Sequence, residues 1–341
     1  MLKSPYPYFG GKSKVAPLIW QYLGDVDNYA EPFFGSGAAL LGRPDEHRRL
    51  LETVNDIDHY IVNFWRAVSA APDEVARWAD WPTTEADLTA RHIWLVNEGR
   101  ERIANVEADP DAYDAKVAGW WVWGICNWIG AEWCSGTGPW RAEDGQLVKG
   151  GNLGLGVNRK LPHMGGGKGV NRKRPHLGNA GRGVKRQLPH LGDAGRGVNR
   201  TNNGSLSAYM AALAERLRQV LVCCGDWSRI VTPGALAYGD TVGILLDPPY
   251  NLDMRNAELY NHETRGLSDE VRAWALANGD NPRYRIILCG YDGEHAMPGW
   301  RVVEWKAGAS YQTANSAGQN GNRHKERLWI SPHCLRLGLF E

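Results

Sequence analysis

A basic repeat interrupts the middle of this chain and restricts what the chain can fold into. The segments "GVNRKLPHMGGGK" (156–168), "GVNRKRPHLGNAGR" (169–182) and "GVKRQLPHLGDAGR" (183–196) follow one another, and a fourth copy begins at "GVNR" (197–200). Each copy contains glycine and proline, which break a continuous helix, and offers few apolar residues to a core. We therefore expect a loop or short stacked turns, inserted into a domain that the two flanking parts of the chain must complete.

The repeats also carry a large excess of positive charge. Between Gly156 and Arg200 there are eleven Lys or Arg residues and one acid, Asp193, which gives this stretch a charge of +10. The whole chain has a net charge of only +1, so the remainder is at −9. A basic segment on an acidic protein points to a polyanionic partner, although a solvated loop gives the same count.

Outside the repeats, strand-like runs alternate with helical patterns. Strand, glycine-rich turn and helix follow each other within 28–41, and strand, acidic turn and helix within 48–68; further strand-like runs come after 239. This alternation predicts a mostly parallel α/β sheet to which both ends of the chain contribute. Residues 66–150 favour helices, and the tryptophan-rich stretch 120–140 is more typical of a core than of a stacking surface.

The composition excludes several classes of protein. No apolar stretch approaches the ~20 residues that span a bilayer, and the N-terminal sequence has no secretory signal pattern. The six cysteines include no CxxC pair. We therefore expect reduced thiols in a cytoplasm and no metal site.

Acidic residues follow several of the strand-like runs. In "EPFFGSGA" (31–38), Gly35 and Gly37 suit a tight turn that a ligand can approach, and Glu31 can hold a ligand ammonium. In "TVNDID" (53–58), Asp56 can accept the hydroxyls of a ribose, with Asp58 as the competing candidate. An Asx turn that caps the next helix explains the same residues equally well.

Three further motifs lie at strand ends or loops. "PYFGGK" (7–12) is a loop that could close over a ligand or a plain N-terminal turn, and Asp226 in "CCGDW" (223–227) is a turn residue or an acceptor for an amino group. "LLDPPYNL" (245–252) places a carboxylate, two prolines and an aromatic ring after an apolar run. Because proline cannot donate to a strand ladder, the strand ends there, and Asp-Pro alone would indicate only a capped turn.

Taken in order, the motifs are more specific than any one of them. "PYFGGK", "EPFFGSGA", "NDI", a long insert, "GDW", "DPPY" and "ERLWISP" follow each other along the chain. In this order they resemble the amino-DNA methyltransferases, specifically the adenine-N6 DNA methyltransferases of the Dam-like type. The resemblance covers about 1–66 and 205–335 and leaves out the repeats.

The resemblance implies a fold, a cofactor and a set of site residues. The fold is a Rossmann-like S-adenosylmethionine-dependent methyltransferase sheet, with a catalytic domain of 1–66 and 205–341 and an inserted helical or irregular target-recognition region of 67–204. Glu31 would bind the ammonium of S-adenosyl-L-methionine, Asp56 its ribose and Asp226 its adenine amino group. The other residues implied to line the cofactor are Tyr8, Lys12, Phe34, Gly35 and Gly37.

"DPPY" then has a chemical explanation. Adenine N6 is a poor nucleophile because its lone pair is delocalised into the ring. The Asp247 carboxylate and the Pro248 carbonyl can accept both amino protons, which frees that lone pair for the methyl group. Pro249 helps to hold these acceptors rigid, and Tyr250 can stack on the flipped base.

The inserted region would bind double-stranded DNA. Phosphate contact, base reading and a plain linker all remain open for the repeats. The candidate DNA-binding residues are Arg159, Lys160, Arg172, Lys173, Arg174, Lys185, Arg186 and Arg200.

The expected protein is a monomeric, site-specific enzyme in the cytoplasm of a prokaryotic or phage-infected host cell. One alternative keeps the fold and changes the acceptor to cytosine N4, RNA or a protein amide. Another is a non-catalytic DNA-binding protein with this fold. Restriction-modification is one context for such an enzyme, but a cognate restriction endonuclease is not derivable from one chain.

Overall fold

The computed structural model describes residues 2–8, 11–109, 111–128, 133–134, 140–143, 146–149, 205–249, 262–305 and 326–336. Its helices are α1 (Ala16–Leu23), α2 (Ala38–Leu41), α3 (His59–Ala70), α4 (Pro72–Ala79), α5 (Glu85–Trp94), α6 (Arg100–Arg102), α7 (Ala115–Asn127), α8 (Leu206–Leu217) and α9 (His262–Asn278). Its strands are β1 (Asn28–Glu31), β2 (Leu51–Asp56), β3 (Trp140–Glu143), β4 (Gln146–Lys149), β5 (Val220–Cys224), β6 (Val242–Leu246), β7 (Tyr284–Tyr291), β8 (Arg301–Glu304) and β9 (Glu326–Ile330).

Seven strands form one mixed sheet in the order β5-β2-β1-β6-β7-β9-β8. The first five pair in parallel, which confirms the predicted Rossmann-like α/β sheet built from both ends of the chain. β1 and β6 are buried along their whole length, because helices cover both faces of a parallel sheet. The pairing of β1 with both β2 and β6 brings distant parts of the sequence side by side.

Some features were not predicted. β9 pairs antiparallel with both β7 and β8, and β3 and β4 form a separate two-stranded hairpin. The helices α1 and α9 were not predicted either. None of the described helices is long and apolar enough to cross a membrane.

The helices that follow β2 share their core with the sheet. α3 and α4 pack against α7, and Val75, Trp121 and Trp123 belong to the same apolar cluster as Ile19 and Tyr29. This burial confirms that the described tryptophans at 121 and 123 are core residues. The division at residue 66 therefore runs through a continuous core, and the two-part domain organisation stays a prediction.

The chain returns to the sheet at α8, and a buried ion network fixes that return. Arg216 of α8 donates to Glu52 of β2 at 2.6 Å, and Arg43 donates to the same carboxylate at 3.0 Å. Glu52 and Arg43 are each 1% exposed, so the two guanidiniums compensate a carboxylate that water does not reach. From α8 the chain runs directly into β5, which pairs with β2.

Candidate active site

Four acidic residues stand at the carboxyl ends of four neighbouring strands. Glu31 ends β1 and Asp56 ends β2, while Asp247 directly follows β6 and Asp226 lies two residues beyond β5. Because β5, β2, β1 and β6 are adjacent and parallel, these ends lie along one edge of the sheet. In open α/β sheets, ligands bind in the crevice at this edge.

The glycine-rich turn after β1 is held tightly against its surroundings. Gly35 has φ +49° and Gly37 has φ +65°, a left-handed conformation that favours glycine. The carbonyl of Gly35 accepts hydrogen bonds from the Tyr6 hydroxyl at 2.7 Å and from Trp65 Nε1 at 3.1 Å. A Cβ at Gly35 would come within 2.8 Å of the Tyr8 ring. The turn is therefore preorganised and leaves no room for a side chain.

Glu31 is a carboxylate in an apolar setting. It is 3% exposed, and its Oε2 accepts a hydrogen bond from the Tyr29 hydroxyl at 2.9 Å. Burial raises the pKa of Glu31 to about 8, and the nearby charge of Asp247 contributes, although hydrogen bonds from Tyr29 and the Leu40 backbone act in the opposite direction. A cation placed here would favour the ionised carboxylate.

Asp56 and Asp58 have different partners. Asp56 accepts from the backbone N–H of Gly35 at 2.8 Å and from that of Asp58 at 3.0 Å, so it joins the ends of β1 and β2. Burial raises the pKa of Asp56 to about 7. Asp58 caps α3 by accepting from the Tyr60 N–H at 2.8 Å. Asp58 therefore caps a helix, whereas Asp56 binds the backbone of the glycine-rich turn.

Asp226 lies next to an aromatic stack that was not predicted. Its carboxylate accepts from the Ser228 N–H at 2.9 Å and caps a short 3₁₀ helix. The adjacent Trp227 stacks on Phe33, with ring centroids 6.1 Å apart and planes at 21°. Phe34, the predicted cofactor residue, is instead buried against Trp65 at a centroid distance of 5.0 Å.

Asp247 forms an ion pair with Lys12. The distance from Lys12 Nζ to Asp247 Oδ2 is 2.7 Å, and Lys12 is 4% exposed whereas Asp247 is 21% exposed. Burial alone lowers the pKa of Lys12, but the charges of Asp247 and Glu326 outweigh it and hold that pKa above its usual value. The ring centroid of Trp305 lies 5.9 Å from Nζ. The structure thus brings "PYFGGK" into direct contact with "DPPY".

Tyr8 lies between these two groups of residues. Its ring covers Gly35 and remains 43% exposed. Pro248 is buried and Pro249 is exposed.

Several predicted residues fall outside the described part of the chain. They are Tyr250 and all of the candidate DNA-binding residues, namely Arg159, Lys160, Arg172, Lys173, Arg174, Lys185, Arg186 and Arg200. Four residues near the site were not predicted from the sequence, namely Phe33, Trp227, Trp305 and Glu326. The motifs "GDW" and "ERLWISP" contain two of these, but only the fold shows what they contact.

The arrangement suits a polar ligand that carries a cation. The buried Glu31 and the half-buried Asp56, both with raised pKa values, line one edge of the sheet together with a glycine-rich turn and an aromatic stack. Beside them, an acid fixed by a buried lysine begins a Pro-Pro turn. An adenosine-containing cofactor with an ammonium group fits this donor and acceptor set.

Residues 8–84 match the family model described as D12 class N6 adenine-specific DNA methyltransferase. The match confirms the resemblance to the Dam-like adenine methyltransferases, and with the seven-stranded sheet it confirms the methyltransferase fold class. The matched segment includes Glu31, the glycine-rich turn and Asp56, and it ends before Asp226 and Asp247. No curated protein matches the chain. The family match supports adenine methylation of DNA as the general activity.

Proposed function

We propose that this protein transfers a methyl group from S-adenosyl-L-methionine to N6 of a flipped adenine in double-stranded DNA, at a specific site. One observation carries the proposal: Asp247 follows β6, which pairs directly with the strand that ends in Glu31 and the glycine-rich turn. The acceptor for the amino group and the pocket for the cofactor are therefore neighbours. The family match to residues 8–84 supports the same reaction class.

The proposed cofactor residues fit the chemical groups of S-adenosylmethionine. Glu31 would bind the ammonium and Asp56 the ribose, while Asp226 and the Phe33–Trp227 stack would meet the adenine. Gly35, Gly37 and Tyr8 would line the central part, and Phe34 would support the turn from the core. When bound, the cofactor supplies an electrophilic methyl group on a sulfonium.

The proposed chemistry needs acceptors that are held in position. Asp247 and the Pro248 carbonyl accept the two N6 protons of adenine, which directs the nitrogen lone pair toward the methyl donor. Lys12 binds Oδ2 of Asp247 and fixes the carboxylate. After transfer, the amine is cationic and loses its proton readily, so no strong base is required. Tyr250 is proposed, from the sequence, to stack on the flipped base.

Labelled methyl transfer tests the proposal. Unmethylated DNA of mixed sequence, made by amplification, is incubated with the full chain and S-adenosylmethionine that carries a labelled methyl group. Analysis of the digested nucleosides is expected to show N6-methyladenine. Sequencing of the methylated DNA then gives the recognition site.

Methylated products other than N6-methyladenine, or the lack of any methylated product, would favour the alternative functions. N4-methylcytosine, labelled RNA or a labelled protein amide would keep the fold and change the acceptor. DNA binding without any transfer, in a protein that still binds the cofactor, would favour the non-catalytic protein. Either result contradicts the proposed activity.

We propose that the repeats contribute to DNA affinity through their charge. Deletion of 156–196 is expected to leave cofactor binding unchanged and to weaken DNA binding most at low salt, because fewer counterions are released. A matched variant of full length, with the repeat Lys and Arg residues replaced by Gln, separates charge from length. Unchanged DNA affinity at low salt in both variants would make the repeats a spacer.

Cofactor affinity is expected to rise with pH. Because the pKa of Glu31 is about 8 before binding, the ammonium must bind a carboxylate that is mostly protonated at pH 7. Between pH 6 and 7.5 the ionised fraction, and with it the affinity, increases roughly 20-fold. Calorimetry in buffers of different ionisation heat should detect close to one proton released at pH 7. A flat profile, or no proton release, would contradict this role of Glu31.

A further inference from the structure

Away from the proposed active site, three side chains that can bind a metal converge from distant parts of the sequence. His59 begins α3, Glu107 lies in the loop before α7, and Cys224 ends β5. The distance from His59 Nε2 to Glu107 Oε1 is 3.5 Å, and that from Cys224 Sγ to the same oxygen is 3.9 Å. All three ligand atoms lie within 4.8 Å of one another.

These separations approach those of a metal centre. In a tetrahedral zinc site, bonds of about 2.0–2.3 Å place neighbouring ligand atoms about 3.3–3.6 Å apart. The separations between the three ligand atoms would have to shorten by a few tenths of an ångström to about one ångström. His59 and Glu107 are 35% and 47% exposed, so a fourth position can be taken by water.

The surrounding structure holds the ligands in place. Arg66 Nη1 donates to the carbonyls of Val106 at 2.6 Å and Asp109 at 2.9 Å, which fixes the loop on both sides of Glu107. Cys224 packs with Val62 and Val106 in a small apolar cluster. The site therefore has a rigid floor, and its ligands do not depend on one flexible loop.

We propose that His59, Glu107 and Cys224 form a binding site for Zn²⁺. A thiolate, an imidazole and a carboxylate are a ligand set typical of zinc, whereas Mg²⁺ and Ca²⁺ prefer oxygen ligands alone. On binding, the Cys224 thiol passes its proton to solvent, and the thiolate forms the bond to the metal. The combined charge of thiolate and carboxylate balances that of the ion.

Cys224 holds its proton when no metal is bound. Burial raises the pKa of the Cys224 thiol to about 12, and the charge of Glu107 adds to this effect. Without a metal, the group is best described as a buried thiol beside a His–Glu pair. The experiment must therefore distinguish metal ligation from that simple contact.

Cobalt spectroscopy on the full chain provides the test. The protein is freed of metal with a chelator and titrated with Co²⁺, and the thiolate-to-cobalt charge-transfer band is recorded. One equivalent of Co²⁺ should produce the band, and Zn²⁺ should displace it. Residues 156–200 contain histidines but no cysteine, so metal bound to the repeats cannot give this band.

Matched variants identify the ligands. Cys224→Ser is expected to abolish the band and to lower Zn²⁺ affinity at least about tenfold. Cys223→Ser is the control, because adjacent residues of a strand point to opposite faces and Cys223 packs with a different cluster. His59→Ala and Glu107→Gln change partly exposed side chains and should weaken binding without unfolding the protein. A missing band in the wild type, or a band that survives Cys224→Ser, would overturn the proposal.

Discussion

Methyl transfer to DNA is expected to fall by about 10²- to 10³-fold when Asp247 is replaced by alanine, because the amino group of adenine loses a positioned acceptor. Cofactor affinity should stay within a few-fold of the wild type, since Glu31 and Asp56 are unchanged. The measurements are single-turnover methyl transfer and calorimetric titration with the cofactor. Asp269→Ala, which alters an exposed acid that pairs with Arg272, is the control and should retain activity.

Lys12 complicates this variant, and a double variant resolves the difficulty. Asp247→Ala leaves the ammonium of Lys12 buried without its closest anion, which we expect to destabilise the fold by about 2–3 kcal/mol. In Lys12→Met/Asp247→Ala, the free energy of unfolding should recover while methyl transfer stays lost. Activity that recovers together with stability would show that Asp247 is only a structural partner of Lys12.

Replacing Glu31 by glutamine is expected to separate stability from function. Cofactor affinity should fall about 10- to 100-fold, because a charged partner for the ammonium is removed from a buried site. The fold should become more stable by about 4 kcal/mol near pH 8, because the buried carboxyl group of the wild type, with a pKa raised to about 8, ionises far less readily in the folded state than in the unfolded state. Calorimetric titration and thermal unfolding measure the two effects.

The sign of the stability effect follows from proton binding. The pKa of Glu31 in the folded protein lies above its ordinary value of 4.5, so between these values the folded state binds more protons than the unfolded state. Wild-type stability from this residue therefore falls as the pH rises from about 4.5 to 8. The advantage of Glu31→Gln should shrink toward pH 4.5. An equal gain in unfolding free energy from Glu31→Gln at pH 4.5 and at pH 8 would contradict the raised pKa of Glu31.

The positions of candidate site residues could be predicted from the sequence where an acidic residue ends or directly follows a strand. Glu31, Asp56 and Asp247 each come at the end of an apolar run, and adjacent parallel strands bring such ends to one edge. The alternation of elements therefore predicted the sheet, and the acids that follow its strands were recognised as candidates. The antiparallel β9 was not predictable in this way, because a strand pattern carries no sign of the direction in which it pairs.

Contacts between distant segments could not be predicted. Lys12 contacts Asp247, which lies far from it along the chain. Whether Phe33 or Phe34 is available to a ligand depends on which of the two neighbouring rings the turn directs into the core. The absence of a CxxC pattern argued against a metal site, which stays an untested prediction, and the proposed ligands His59, Glu107 and Cys224 come together only through the fold. Spacing rules detect ligands that share a segment and miss ligands that do not.

The pairing of β1 with β6 has a consequence for biosynthesis. β1 lies near the start of the sequence and β6 lies far along it. Beside this pair, the hydrogen bond from the Asp27 N–H to the Thr241 hydroxyl spans 214 residues. At about 5–20 residues per second, a ribosome needs roughly 10–40 s to deliver the second partner after the first. Throughout that interval one side of β1 has no strand partner. We therefore expect the nascent polypeptide to bind chaperones that shield open strand edges.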